Sequence, residues 1–485
     1  MRCQRAGAGW HSPDGPLGRD APFGGVIVPG SARGTEIADL SSPRRAYADR
    51  AASSNRDRPG TRREPAGIPE IHQWGSRSSG TPRCVGTPTF GSMTNDLVDR
   101  SDHGLHETLA ALGDEADRRT AELSDACRIP GDLYELAATS GLFRQLVATD
   151  LGGLGRTPLE WFRNGLALAR HEASLGWVVT QGAAVLGQLA SGGDPTWSTQ
   201  VLADPRAAVA ASIAGGGTLT PADDGYLVQA RWDFVSGCDG ATWLGGLAVL
   251  PLDGTAEGEL PFELRWVLVP ADRARIERTW DSIGLRGTGS HTLTIEQQRV
   301  PAAWTYRTGI ASPHRTDPHA WTVGNGNWVI GTSVAATQLG IARRALDEVT
   351  ALLPTKAPAP EFVPLAENAA ARRALMAAEG RWAAAVHLAE VTLADLWEHA
   401  VAGRPLDAAT RVSVAVANAT ANRMGVEVVR AAGDLAGTSL VPADHPLGRC
   451  LRDASALQGH ISANAAIFDR AGAIHLGLAE PDALV

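Results

Sequence analysis

Cysteine is scarce in this 485-residue chain and follows no pattern. The five residues Cys3, Cys84, Cys127, Cys238 and Cys450 form no CxxC pair and no ligand-like spacing, which excludes a disulfide scaffold and a cysteine-based metal centre. No apolar run reaches the roughly 18 to 20 residues that a bilayer-spanning helix needs, and no apolar core precedes a small-residue cleavage site at the N-terminus. A cytoplasmic protein without a membrane partner is the resulting expectation. Basic residues are outnumbered, with a formal net charge of −9, so a nucleic-acid surface and a polybasic anchor are excluded and a small molecule remains as the ligand. No GxGxxG follows a strand-like run, so the chain has no nicotinamide site of its own. The glycine cluster Leu151-Gly-Gly-Leu-Gly155 has neither a preceding strand nor a following Lys-Ser/Thr, and does not read as a phosphate loop.

Periodicity divides what is there into four stretches. Residues 1–92 are rich in Gly, Pro, Ser and Arg, show no period of two or 3.6, and are expected to be disordered. Helical patterning begins soon after Met93, where translation is expected to start. Residues 93–210 read as an N-terminal α-helical domain, with LHETLAALGDEADRRTAEL, a helix opening at Pro130 and stopping at Gly141, and one long helix through LEWFRNGLALARHEASLGWVVTQGAAVLGQLA. Residues 211–310 change to alternation in GYLVQARWDFVSG, TWLGGLAVLPL, FELRWVLVP and HTLTIEQQRVP, a β domain of six to eight strands. Residues 311–485 return to long, Ala-rich helical segments whose number suggests a four-helix bundle with closely approaching backbones.

Two stretches carry chemistry. The segment Arg449-Cys-Leu-Arg-Asp-Ala-Ser-Ala-Leu-Gln-Gly-His460 would place Arg449, Arg452, Asp453, Ala456, His460 and Asn464 on one stripe of a helix with about 3.6 residues per turn. The strand Arg231-Trp-Asp-Phe-Val-Ser-Gly-Cys-Asp-Gly-Ala-Thr-Trp243 carries aromatics followed by Ser236 and Gly237. Taken alone, Trp232, Phe234 and Trp243 also suit a half-buried strand, and Trp177 suits either a pocket wall or a core aromatic. Ile283-Gly-Leu-Arg-Gly-Thr-Gly-Ser290 reads as a Gly-rich turn, and His291 beside it points either into a pocket or outward.

In their order and spacing these pieces resemble the acyl-CoA dehydrogenase superfamily over nearly all of residues 100 to 480. The matching segments include the Gly-Gly-Leu-Gly cluster followed by LARHEASLGW, the Ile283–Ser290 turn, Gly340-Ile-Ala-Arg-Arg-Ala-Leu346 and the Arg452-Asp453 pair. The resemblance implies an α+β, acyl-CoA dehydrogenase-like fold: an N-terminal α-helical domain, a central β-barrel-like domain and a C-terminal four-helix bundle. In the commonest dehydrogenase branch the carboxylate base would fall at Ile461, which cannot accept a proton, and residues 454–468 contain no Asp or Glu. RDASALQGH and the Trp-x-Phe-x-Ser-Gly-Cys strand are instead similar to the two-component flavin-dependent monooxygenases (group D hydroxylases) of this fold, with Gly240 departing from a signature that often has histidine there.

That branch implies an oxygenase component hydroxylating a small aromatic substrate with O2 and reduced FAD or FMN through a flavin C4a-hydroperoxide. The flavin would be diffusible and supplied by a separate flavin reductase, and the oxygenase would be a homotetramer. His460 would be the catalytic base toward the substrate, and Ser236 the hydroxyl beside flavin N5. Phe234, Gly237, Arg286, Thr288 and Ser290 would complete the cofactor site, Trp177, His291 and Asn464 would line the substrate pocket, and no metal is involved. Two alternatives are an acyl-CoA dehydrogenase with a relocated base and an N-hydroxylase of an amine or amino sugar.

Overall fold

A computed structural model describes residues 103–252, 261–307, 315, 317–319, 328–404 and 407–479. The expected disordered extension, residues 1–92, lies outside them.

The N-terminal helical run is cut more finely than its patterning suggests. Helix α1 (His103–Arg118) stops at Arg119, and α2 (Thr120–Ala126) follows at once, closed by Cys127 in the left-handed conformation at φ 48°. Helix α3 (Gly131–Thr139) opens after Pro130 and is followed by Gly141 at φ 77°. The segment expected as one long helix is two, α4 (Pro158–His171) and α5 (Ala173–Gly192). Glu172 causes the break: its backbone is extended and its carboxylate accepts the Leu175 N–H at 2.6 Å, capping α5 in place of the helix that would have continued. The turn also lets the two helices press together, since a Cβ on Gly176 would lie 2.6 Å from Ala169. Helix α6 (Pro195–Leu202) completes this part.

The alternating region forms seven strands: β1 (Val209–Ala222), β2 (Gly225–Val235), β3 (Trp243–Pro251), β4 (Phe262–Pro270), β5 (Arg275–Glu277), β6 (His291–Pro301) and β7 (Thr305–Arg307). They pair as one mixed sheet in the order β5-β6-β2-β1-β3-β4-β7, with β1 and β3 parallel and every other pair antiparallel. Among the described residues the expected barrel is therefore an open sheet, with β5 and β7 at its edges. Trp232, Val235, Leu244, Val267, Val269 and Leu293 fill its own core cluster.

Four further helices, α7 (Trp328–Leu352), α8 (Ala369–Val401), α9 (Ala408–Ala436) and α10 (Pro446–Gln458), pack together, and the short α11 (Ala466–His475) follows. Alanine and glycine bring them close, as expected: a Cβ on Gly340 of α7 would lie 2.6 Å from Ala169 of α4. Polar ties set the register. The buried Arg343 of α7 forms a bidentate pair with Glu379 of α8 at 2.7 and 2.8 Å and lies over the Trp382 ring, while Thr332 bonds Asn418 of α9. Asp117 of α1 receives both Arg344 of α7 at 3.0 Å and Arg449 of α10 at 3.2 Å. Arg449 is thus spent on joining elements. No described helix is long and apolar enough to cross a membrane.

Burial of Glu172 pushes its carboxyl up to about 7, with Asp453 adding to the rise and Arg449 opposing it. A carboxyl raised in the folded state above its unfolded value of about 4.3 stabilises the fold fully below that pH, and the contribution is lost as pH rises through 7. Glu172→Gln, fixed in the neutral form, should therefore gain about 1–3 kcal/mol relative to the parent between pH 5 and pH 8. Thermal melts at the two pH values read this, and an equal difference at both would contradict it.

Candidate functional site

Three elements that are distant in sequence meet at Trp177. It lies in the first turns of α5, is buried, and donates its indole N–H to Ser236 Oγ at 2.9 Å. Its ring also meets the imidazole of His460 edge-on, at 5.4 Å between centroids. Ser236 follows the last residue of β2, and His460 follows the end of α10. Trp177 is thus the contact between the two residues singled out as catalytic.

Ser236 is placed by a chain of hydroxyls. Its Oγ lies 2.7 Å from Ser290 Oγ, which lies 2.7 Å from Thr288 Oγ1, which donates to the Leu285 carbonyl at 2.8 Å. All three hydroxyl residues are buried. The main chain ties the same parts together, because Gly237 N–H donates to the Thr288 carbonyl at 2.8 Å. Gly237 sits at φ 74°, and a Cβ there would meet Val178 at 2.7 Å, so position and conformation both require glycine. Two residues before Ser236, Phe234 adopts φ 60°, is 59% exposed and packs edge-on against Trp280 at 6.1 Å. A bulky residue held left-handed with its ring uncovered is a costly arrangement, of the kind found at ligand sites.

The Gly-rich turn is docked onto α10. Asp453 is buried and its Oδ1 accepts the Leu285 N–H at 2.6 Å; burial pushes this carboxyl upward. Leu285 is itself left-handed at φ 51°. Its carbonyl accepts the Trp280 indole N–H at 3.2 Å as well as the Thr288 hydroxyl. Gly284 allows the approach, since a Cβ there would lie 2.3 Å from the Arg452 carbonyl. Arg286 has its donors engaged: with the Ser124 and Ser282 carbonyls, Asp281 at 2.8 Å and the Cys127 thiol. It fastens the turn to the end of α2 and does not stand open to a phosphate.

The C-terminal stripe is broken in the fold. Helix α10 ends at Gln458, and His460 is extended, at φ −65° and ψ 138°, so His460 and Asn464 do not continue its face. The physical reason is local: Gly459 closes α10, and the His460 Nδ1 accepts the Ser462 N–H at 3.2 Å and caps the turn that follows. Asn464 is exposed and its Oδ1 accepts the Ala466 N–H at 2.9 Å at the start of α11. It is not part of the cluster around Trp177. His291 resolves inward: it is buried, its Nδ1 accepts the Trp280 N–H at 3.1 Å, and Nε2 lies 3.7 Å from Asp239. Gly240, the departure from the family signature, faces the Tyr134 ring, which a Cβ would meet at 2.4 Å.

The electrostatics of His460 refine its chemistry. Burial pushes its pKa down to about 4, so the ring is neutral at physiological pH. With Nδ1 accepting a backbone N–H, the proton of the neutral ring resides on Nε2. In this tautomer His460 presents a hydrogen-bond donor. Acting as a base through Nε2 would require moving that proton to Nδ1 and giving up the cap.

The glycine cluster at 151–155 serves no phosphate. Gly153 N–H and Gly155 N–H are taken by the carbonyls of Ala148 and Val147, and a Cβ on Gly153 would lie 1.9 Å from the Val147 oxygen. Sequence reasoning missed Trp280, Leu285 and Glu172. Only Trp280 had a visible signal, an aromatic three residues ahead of the Ile283-Gly motif.

A family model described as the acyl-CoA dehydrogenase C-terminal domain matches residues 332–465. The chain is 28% identical over 363 residues to an indole-3-acetate monooxygenase of Acinetobacter baumannii, covering 74% of this chain and 90% of that protein. It is 31% identical over 203 residues to the oxygenase subunit HsaA, a flavin-dependent monooxygenase of Rhodococcus jostii, covering 40% and 50% respectively. The crystal structure of the 3-HSA hydroxylase from Rhodococcus sp. RHA1 superposes with a TM-score of 0.72 at 25% identity, covering 79% of this chain and 99% of that one.

Gly284→Ala should lift the turn from α10 and cost about 1–3 kcal/mol, read as a fall in the denaturation midpoint. An unchanged midpoint would mean that the contact between Gly284 and the Arg452 carbonyl is not tight. In sequence and fold the chain is similar to flavin-dependent monooxygenase oxygenase components, and it has the acyl-CoA dehydrogenase-like fold with its helical C-terminal region and a mixed sheet.

Proposed function

We propose that this protein is the oxygenase component of a two-component flavin-dependent monooxygenase that hydroxylates a small aromatic compound with O2. The observation that supports it most is the convergence on Trp177 of Ser236, at the end of a strand beside an uncovered aromatic, and His460, beyond the helix that carries Asp453. A separate reductase supplies the reduced flavin, FAD or FMN, since the chain carries no nicotinamide motif.

The residues present fit a flavin ring. Ser236 has an oxygen lone pair left over once its two protein hydrogen bonds are made, and Phe234 and Trp280 offer apolar surface for an aromatic system. The bound reduced flavin supplies the activation of oxygen. Ser236 holds the polar edge of the ring, with Gly237, Thr288 and Ser290 setting its position and Arg286 securing the turn that carries them. Trp177 excludes water and forms a wall, and His291 supports the Trp280 backbone behind Phe234. His460 Nε2–H orients the substrate by donating to an acceptor such as a ring oxygen. The domain limits 93–210, 211–310 and 311–485 and a homotetrameric assembly belong to this reading.

Ile461, where a dehydrogenase of the commonest branch would have its carboxylate, is 60% exposed and aliphatic, which disfavours α,β-dehydrogenation. The buried Glu172 does not supply a replacement base, because it is committed to capping α5.

Incubating the protein with a flavin reductase, NADH, FAD or FMN and a panel of phenols and indoles should yield a hydroxylated product by mass spectrometry. Oxidation of acyl-CoA thioesters with no hydroxylation of any aromatic would overturn the reading. His460→Ala should lower turnover about 10²-fold or more. His460→Gln, whose amide N–H reaches near the position of Nε2–H, should keep more activity than the alanine variant. Because burial holds His460 neutral down to about pH 4, no change of its charge should appear in the rate between pH 5.5 and 8. A kcat rising through pH 6 to 7 that vanishes in His460→Gln would contradict the donor role.

A further inference from the structure

With every hydrogen bond in the hydroxyl chain behind Ser236 made, the chain runs in one direction. A carbonyl oxygen has no proton, so the Thr288 hydroxyl must donate to Leu285 O. With its one proton spent, Thr288 can only accept across the 2.7 Å contact with Ser290. Ser290 therefore donates to Thr288, and by the same count Ser236 donates to Ser290. Ser236 also accepts the Trp177 indole N–H, and an indole nitrogen never accepts. What remains on Ser236 is one lone pair and no proton. Ser236 is thereby left an acceptor, and its polarity is fixed two residues along the chain of hydroxyls.

We propose that Thr288 and Ser290 are positioning residues that hold Ser236 as a hydrogen-bond acceptor, and that this makes the site selective for the reduced over the oxidised form of the flavin. The proposal rests on the reading that places the flavin at Ser236. Reduced flavin carries a proton on N5 and donates there, whereas oxidised flavin has only a lone pair at N5. Ser236 in its fixed state satisfies the first and opposes the second with its own lone pair. To serve oxidised flavin the chain must reverse, with Ser290 donating to Ser236 and Thr288 to Ser290, and the Leu285 carbonyl would then lose the Thr288 hydroxyl while keeping the Thr288 N–H and the Trp280 indole. That carbonyl sits on a residue held at φ 51° by Asp453, so it cannot follow. The cost of reversal is one buried hydrogen bond, and it supplies a reason for product flavin to leave once oxidised.

The test is an anaerobic equilibrium ultrafiltration of the full chain against FMN and FAD, each oxidised or reduced with dithionite. The parent should bind the reduced form more tightly. Thr288→Val keeps the shape and removes the anchor, so reversal becomes free and the reduced-to-oxidised affinity ratio should fall about three- to tenfold. Ser290→Ala frees the Ser236 proton directly and should lower the ratio as well, which keeps the test open if the valine variant does not fold by circular dichroism. A structural defect would weaken both forms alike and leave the ratio unchanged. If both variants keep the parental ratio while Ser236→Ala weakens reduced flavin, the polarity is not set by this chain, although the flavin lies at Ser236. If Ser236→Ala alters neither affinity, the flavin is not at Ser236 and the functional reading falls with the proposal.

Discussion

The hydrogen bond from Leu285 N–H to Asp453 joins the two halves of the site. It spans the Gly-rich turn and α10, at 2.6 Å and out of solvent. On the turn side it fixes a left-handed leucine whose carbonyl accepts the Trp280 indole, the Thr288 hydroxyl and the Thr288 N–H. On the helix side it holds the last full turns before the chain breaks and presents His460. A buried carboxylate is costly unless it is bonded, and this one is bonded to the single N–H on which the geometry of Ser236 ultimately depends.

Trp177 links the same halves through a different element. Its placement follows from the break at Glu172: had the helix continued from α4, the first turns of α5 would point elsewhere. The carboxylate that caps α5 is buried near Asp453 and Arg449, so the helix start, the bundle and the turn share one electrostatic neighbourhood. Burial holds both acids toward their neutral forms, with the Asp453 charge adding to the rise at Glu172, while Arg449 opposes it and is itself paired with Asp117.

The site combines rigid parts with an uncovered one. The hydroxyl chain, the indole and the docked turn are buried and mutually bonded. Phe234 is not: its ring stands 59% exposed on a left-handed backbone, with only an edge contact to Trp280. A preorganised polar wall beside an open aromatic face suits a planar ligand, such as the flavin proposed above.

Much of this was legible in the sequence, because period and composition act locally. The helical, alternating and helical stretches, the glycine stops and the approach of Ala- and Gly-rich helices follow from side-chain spacing and size. The lack of a carboxylate around Ile461 was plain, and the motifs around Ser236 and His460 pointed to the family. What the sequence alone did not determine were the breaks and the directions. Glu172 reads as an unremarkable helical residue until its burial and the approach of Gly176 to Ala169 turn it into a cap. His460 and Asn464 share a stripe only if the helix continues, and the cap that His460 itself supplies ends it. Whether His460 donates or accepts, and whether Ser236 does, depends on which partner holds each proton. The partners of Ser236 come from segments far apart in the chain, and that of His460 exists only because the helix breaks before it, so only the tertiary structure decided them.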